Sequence, residues 1–295
     1  MMTIKYLKQA EIDKSKWDNC VGNAINCMIY GMSWYLDEVC ENWDGLVLGN
    51  YQAVMPLPWK SKLGIKYIYH PFFAQQLGVF FTKDNSAITN DFLAAIPLKF
   101  LKYELSLNSM NTCHDIPLRP QINYVLSLHK TYDELLASYD RKCRRDVKIS
   151  KSDPHILHTD ISVDDFLSFK QRNMLNKLSH THFERIKALL NYLIKNKMAK
   201  IVALNDSENM LLGAAAFVSY RSRIFYLFSA SSDVGKKKRV MYRILDSVIE
   251  ANANKNVYLD FEGSMIEGVA QFFKGFGPVS ETYNRVQKSR IPFIK

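Results

Sequence analysis

From His155 onward, apolar runs of two kinds follow one another in an order that leaves few folds open. His155 to His158 reads as a short strand. Val163 to Asn176 and Phe183 to Asn196 carry the 3.6-residue period of helices. Three strand-like runs follow, Ala199 to Leu204, Leu211 to Tyr220 and Arg223 to Ser229. The chain closes as helix (Val240 to Ala251), strand (Val257 to Phe261), helix (Glu267 to Phe273) and strand (Val279 to Val286). This order calls for an α/β or α+β chain with a sheet flanked by helices, and alone it does not choose among such folds.

The first half carries the same two periods less regularly. Ile4 to Leu7 reads as a strand. Ser33 is placed to cap a helix over Trp34 to Glu41. Leu46-Val47-Leu48 and Gln52 to Pro56 flank Gly49-Asn50 and read as a hairpin. Tyr67 to Tyr69 and Leu77 to Phe81 read as strands, and Ile88 to Leu101 as a helix with a kink at Pro97. Tyr103 to Leu107 and Tyr124 to Leu128 look extended. Tyr132 to Ser152 is helical in pattern, and spacings of three and four put Arg141, Arg144, Arg145 and Lys148 on one face. Pro154 ends that helix, so the domain boundary is expected near it, giving residues 1–150 and 151–295.

The 295 residues can bury a real core, and 47% hydrophobic with 23% charged residues is an ordinary globular balance. The longest apolar stretch, Leu211 to Val218, is far below the ~20 residues of a membrane span. The first eight residues lack the apolar core of a secretion signal, so a cytoplasmic protein is expected. Cys20, Cys27, Cys40, Cys113 and Cys143 form neither a disulfide framework nor a zinc motif, and read as buried free thiols. His155, His158, His180 and His182 lack a carboxylate partner pattern, so no metal is expected. Ser33 and Ser264 do not sit in a G-x-S-x-G elbow. A net charge of +10 favours phosphate-bearing partners or serves solubility.

One loop carries the chemistry. Ser231-Ser232-Asp233-Val234-Gly235-Lys236-Lys237-Lys238-Arg239 joins a strand to a helix, where unpaired N–H groups and the positive end of a dipole can hold a pyrophosphate. A solvated basic turn is the plainer alternative. The segments Asp260-Phe261-Glu262-Gly263-Ser264 and Phe272-Phe273-Lys274-Gly275-Phe276-Gly277, with Tyr283 on the final strand, extend the pattern.

On these residues the C-terminal region resembles FemAB-like proteins, a branch of the GNAT superfamily. Leu135 to Ser150 is similar to the basic helix that opens the BioF2-like acetyltransferase domain of that branch. The resemblance runs from Ser138 to Val286. It implies two GNAT-like lobes, each a mixed, mostly antiparallel sheet flanked by helices, with the N-terminal lobe on the substrate side and the C-terminal lobe binding the donor. It further implies transfer of an acyl or aminoacyl group to an amine. Donors of the superfamily are acyl-CoA thioesters, and in this branch they include aminoacyl-tRNA. Acceptors include cell-wall precursors.

Two positions depart from the superfamily pattern. Lys237 stands where the phosphate loop has a second small residue, and Gln271 where many members carry a Tyr acid. An attacking amine must lose a proton. Glu262 is the first candidate base and Asp260 the second, and strand alternation puts the two on one face. Backbone N–H groups near Ser229 to Ser231 would hold the oxyanion, and Lys274 a phosphate or the acyl oxygen. The cationic turn and the carboxylate-bearing strand tip are expected to face one cleft. Trp59, His70, Gln75 and Gln76, in segments that mix aromatics with polar groups, are candidate substrate readers, together with Tyr283. A non-catalytic nucleic-acid or partner-binding protein on the same scaffold is the alternative.

Overall fold

The structure is a computed structural model that describes residues 3–83, 88–114, 116–174, 177–263 and 265–290. The chain forms two compact units. One takes residues up to Gln121 and returns from Thr282 on; the other runs from Ile122 to Glu281.

The first unit begins with β1 (Ile4–Leu7), α1 (Lys14–Asn23) and α2 (Ser33–Val39). The hairpin strands β2 (Asn42–Leu48) and β3 (Ala53–Lys62) follow, then β4 (Ile65–Ile68), β5 (Phe80–Phe81), α3 (Ile88–Ala94) and β6 (Phe100–Ser106). Its sheet runs β1-β2-β3-β4-β6, closed by the distal part of β13 (Val279–Ser289) on β6, with β5 beside β3. All these pairs are antiparallel except β4 with β6. The core is aromatic: Trp17 and Trp43 lie 5.2 Å apart, and the Trp17 indole N–H donates to the Gly31 carbonyl at 2.8 Å.

Three local expectations differ here. Ser33 does not cap its helix; its hydroxyl donates to Asp18 at 2.8 Å. The helix expected to reach Leu101 stops at Ala94, because the residue before Pro97 is pushed out of the helical region. The strand expected at Leu77 is reduced to Phe80–Phe81.

The chain enters the second unit within β7 (Leu118–Ser127). There follow α4 (Tyr132–Ser138), α5 (Arg141–Ser152), β8 (Ile156–His158), α6 (Val163–Asn173), α7 (His180–Lys195), β9 (Ala199–Asn205), β10 (Leu211–Tyr220) and β11 (Arg223–Ser231). The order closes with α8 (Asp233–Lys237), α9 (Val240–Asn252), β12 (Tyr258–Asp260) and α10 (Glu267–Lys274). Its sheet runs β7-β12-β11-β10-β9-β8. Every pair is antiparallel except β11 with β12. The helix expected to end at Asn176 stops at Asn173; Asn176 lies outside the described residues, as does Ser264.

The single helix expected over Tyr132 to Ser152 is two. Asp140 accepts the Cys143 N–H at 2.6 Å and starts α5, while the Arg144 guanidinium takes the Ala137 and Tyr139 carbonyls at the end of α4. Both helices pack with α9. Leu135, Tyr139, Cys143 and Val147 share one buried cluster with Ile244 and Val248. Fully buried Asp246 on α9 ties them further, accepting the Tyr132 and Tyr139 hydroxyls at 3.0 Å and pairing with the Lys151 ammonium at 2.6 Å. This packing places residues 122–154 with the C-terminal core, so the compact units divide at Gln121 and Glu281 rather than near Pro154. Among the described residues no helix is long and apolar enough to cross a membrane.

Candidate functional site

β11 and β12 pair at Arg223↔Tyr258, Ile224↔Leu259 and Phe225↔Asp260. Beyond Phe225, β11 continues to Ser231 against β10. The other chain stays with β7, where the Phe261 N–H donates to the Tyr124 carbonyl at 3.0 Å. The two parallel strands therefore part. Among the described residues no strand meets the freed edge of β11 from Tyr226 on. A bulge at Leu227, where Phe217 faces Tyr226 but Ala216 faces Phe228, turns further backbone groups out of the ladder.

Beside this freed stretch lies a cleft of about 310 Å³. Tyr226, Ser229 and Ser231 of β11 line it. Gly235 and Lys236 of α8 and Arg239 bring the cationic turn to it. Val269, Phe272 and Phe273 of α10 form an apolar wall, met by Val240, Met241 and Tyr242 of α9. Phe272 stands edge-on to Tyr242 at 4.7 Å.

The turn is not the direct strand-to-helix junction expected. A five-residue helix intervenes, and Arg239 sits at φ +58° before α9 begins. Ser232 caps α8, its hydroxyl accepting the Gly235 N–H at 3.0 Å, and its carbonyl takes the Lys236 N–H at 2.8 Å. Gly235 is needed because a Cβ there would lie 2.1 Å from the Leu212 carbonyl oxygen. Lys236 pairs with Asp233 at 2.9 Å and, mainly through that hydrogen bond, holds its carboxyl below the usual range. Lys238 turns to Asp153 at 3.5 Å, and Arg239 meets Asp146 at 2.9 Å. Lys237 and Val234 are exposed. Of the four consecutive cations, Lys236 and Arg239 line the cleft.

The carboxylates are arranged differently from the expectation. Asp260 is fully buried and pairs with Arg223 at 2.6 Å. Its other oxygen accepts the Glu262 backbone N–H at 2.8 Å. Since β12 ends at Asp260, strand alternation does not carry Glu262 onto the same face. Glu262 and Gly263 turn the chain at φ +57° and +59°, and a side chain at Gly263 would strike the Ile122 carbonyl at 2.0 Å. Glu262 is half-buried and is not among the residues lining the cleft. Because of that turn, α10 rather than the strand tip provides the opposite wall, and the expectation of one cleft shared by Lys236 and Glu262 is not met. Lys274 borders a separate hollow of about 290 Å³ with Asp140, Lys142, Tyr242 and Gln271. Its ammonium lies 5.8 Å from the Tyr124 ring.

Trp59, His70, Gln75, Gln76 and Tyr283 all belong to the first unit. Lys66 sits 4.5 Å over the Trp59 ring. Both His70 ring nitrogens are spent on backbone: Nδ1 accepts the Ser106 N–H at 3.3 Å, and Nε2 bonds the Ala74 carbonyl at 2.7 Å. Burial, with Arg285 second, pushes its pKa down to about 4. Gln76 is fully buried, donating to Gln75 at 3.0 Å and accepting the Ser109 N–H at 2.9 Å. His70 and Gln76 therefore fasten their own loop. Tyr283 is buried on β13.

Sequence reasoning missed the apolar wall and one amine. Val269, Phe272 and Phe273 stand at the i, i+3, i+4 spacing of a helix face and were legible as such. Lys170 follows Phe166 by four and Leu167 by three, a core-facing position for a lysine, and that oddity was its signal. Cys20, Cys40, Cys113 and Cys143 are buried, and burial pushes the Cys20 thiol up to about 12. Among the described residues no group of three or more His, Cys, Asp or Glu could hold a metal ion.

No family model and no curated protein matches the chain. Solved structures do. FemX superposes with a TM-score of 0.66 at 13% identity over 95% of this chain and 96% of its own. A tandem GNAT protein from the clavulanic acid biosynthesis pathway gives 0.56 at 11% over 99% and 100%. L-PGS from Bacillus licheniformis gives 0.52 at 12% over 84% of each chain. The chain has the FemAB-like, GNAT-type fold.

Proposed function

We propose that the protein is an N-acyltransferase that moves an acyl or aminoacyl group from a donor held along β11 to an amine acceptor. The observation that carries this reading is the parting of β11 from β12 beside a cleft with a cationic turn at one side and an apolar wall at the other. The freed β11 edge offers backbone N–H groups to a developing oxyanion, without reorganisation during the reaction. The apolar wall suits a pantetheine arm, and Lys236 and Arg239 suit its phosphates. Acyl-CoA is therefore the first donor.

Glu262 does not line the donor cleft, so it is the proposed base for the acceptor amine through a water chain rather than by direct contact. A non-glycine residue held left-handed costs roughly 1–2 kcal/mol, and such strain gathers at functional positions. Asp260 would serve it by fixing its backbone N–H against the Arg223 pair. Ser232, Val234, Lys237 and Lys238 shape and charge the turn. Lys274 is placed for a donor phosphate on the neighbouring hollow. In the first unit Trp59, Gln75 and Tyr283 remain candidates for the acceptor.

A second donor, aminoacyl-tRNA, is favoured by the exposed cations of α5 and by Gln271, which leaves a thiolate without the usual Tyr acid. Thermal shift with acetyl-CoA and with charged tRNA tests both. A donor at a hundred times its dissociation constant should stabilise the protein by about 2.7 kcal/mol. Silence from every acyl-CoA and every charged tRNA would leave the non-catalytic binding protein as the better account.

A further inference from the structure

The β11 strand is gripped from a second side. Lys170 of α6 donates from Nζ to the Ser229 carbonyl at 2.9 Å. Ser229 is also a lining residue of the donor cleft. Past Phe225 no β12 residue pairs with β11, so among the described residues no paired strand closes that edge between Tyr226 and Ser229. Lys170 does not itself line the cleft; its amine meets Ser229, the residue that does, at the stretch where the proposed donor would present its acyl carbon.

The surroundings of this amine are unusual for a lysine. It is half-buried, its ammonium lies 5.9 Å from the Phe228 ring, and among the described residues no carboxylate pairs with it. An ammonium there would have one of three N–H groups met by protein. A neutral amine keeps that bond and gains a free lone pair. Burial alone pushes its pKa down to about 8. Tyr226 on β11, which also bonds Ser229, is held by burial as a neutral phenol although that bond opposes this.

We propose that Lys170 is an acyl-accepting amine, modified by an acyl-CoA thioester bound in the cleft beside Ser229. This rests on the transferase reading above. Lys170 Nζ attacks the thioester carbonyl, an N–C bond forms, and the C–S bond breaks with its electron pair leaving on sulfur. The proton lost by nitrogen goes to the thiolate, giving an amide and free CoA thiol; nothing is oxidised or reduced. The amide does not pass the group on. Acylation therefore marks the protein and replaces the titratable amine at Ser229 with a neutral amide.

The test is peptide mass spectrometry of the full chain incubated with acetyl-CoA. At pH 7.5 an amine of pKa about 8 has a neutral fraction about two orders of magnitude above that of an ordinary lysine near 10.4. An acetyl adduct on Lys170 should therefore outpace those on exposed Lys236 and Lys237. Its rate should level off above about pH 8. Excess free CoA should suppress it. No adduct, equal labelling of all three lysines, or indifference to free CoA each overturns the inference. Trace labelling with acetic anhydride, which needs no donor site, separates the two levels. If Lys170 shows the low midpoint with anhydride but no adduct with acetyl-CoA, the donor reading is at fault. If Lys170 labels like an exposed lysine while acetyl-CoA stabilises the protein, the fault lies with Lys170 alone.

Discussion

Asp260 and Glu262 are two residues apart and do different things. Asp260 has its oxygens committed to Arg223 and to the Glu262 N–H in a fully buried place. Removing one partner of a buried pair leaves the other uncompensated, which typically costs 3–5 kcal/mol. Arg223 retains 22% side-chain exposure and has a second carboxylate, Glu281, at 3.8 Å, so the lower end applies. Asp260→Ala should cost about 3 kcal/mol in urea unfolding. A loss below about 1 kcal/mol would show that the pair is not structural and would return Asp260 to the list of bases. Glu262→Gln, which keeps the side chain's size, should cost less stability than Asp260→Ala in the same urea unfolding.

At the scale of elements, α8 is the piece that periodicity could not show. Its five residues are too short to carry a helical pattern, and it exists because Ser232 caps it and Gly235 lets it lie against β10. Gly235→Ala forces a methyl to within 2.1 Å of the Leu212 carbonyl. That overpacking should cost about 1–3 kcal/mol and displace Lys236 from the cleft, weakening acetyl-CoA binding more than Val234→Ala does. Isothermal titration of the two variants compares them directly. Equal affinities would mean that the turn does not shape the donor site. The α4–α5 break follows the same logic: Asp140 at a cap position ends one helix and starts another, a signal present in the sequence but hidden inside a continuous helical pattern.

For the whole molecule, the net charge of +10 is a statement about partners rather than fold. Arg141, Lys142, Arg144, Arg145 and Lys148 are all exposed on α5. Arg144 is occupied with carbonyls and Arg145 with Asp146, which leaves about three cations for phosphates. RNA binding should then weaken with salt, with a log–log slope of about −2. Charged tRNA should bind more tightly than random RNA of equal length at the same salt. Equal affinity would reduce the basic face to general polyanion attraction and remove the case for a tRNA donor.

The order of strands and helices after His155 was set locally, by which side chains repeat every second or every third-to-fourth residue, and it was read nearly to the residue from β9 to β13. The cationic turn was legible for the same reason, since its charges and glycine are adjacent in sequence. Where the carboxylates point was not, because Glu262 and Gly263 adopt a left-handed backbone at the place where Gly263 comes against Ile122 and Asn123. The division at Gln121 and Glu281, the apolar wall of α10 and the grip of Lys170 on Ser229 depend on contacts between residues tens of positions apart. Such contacts are decided by which faces can be buried together, a property that no local period records.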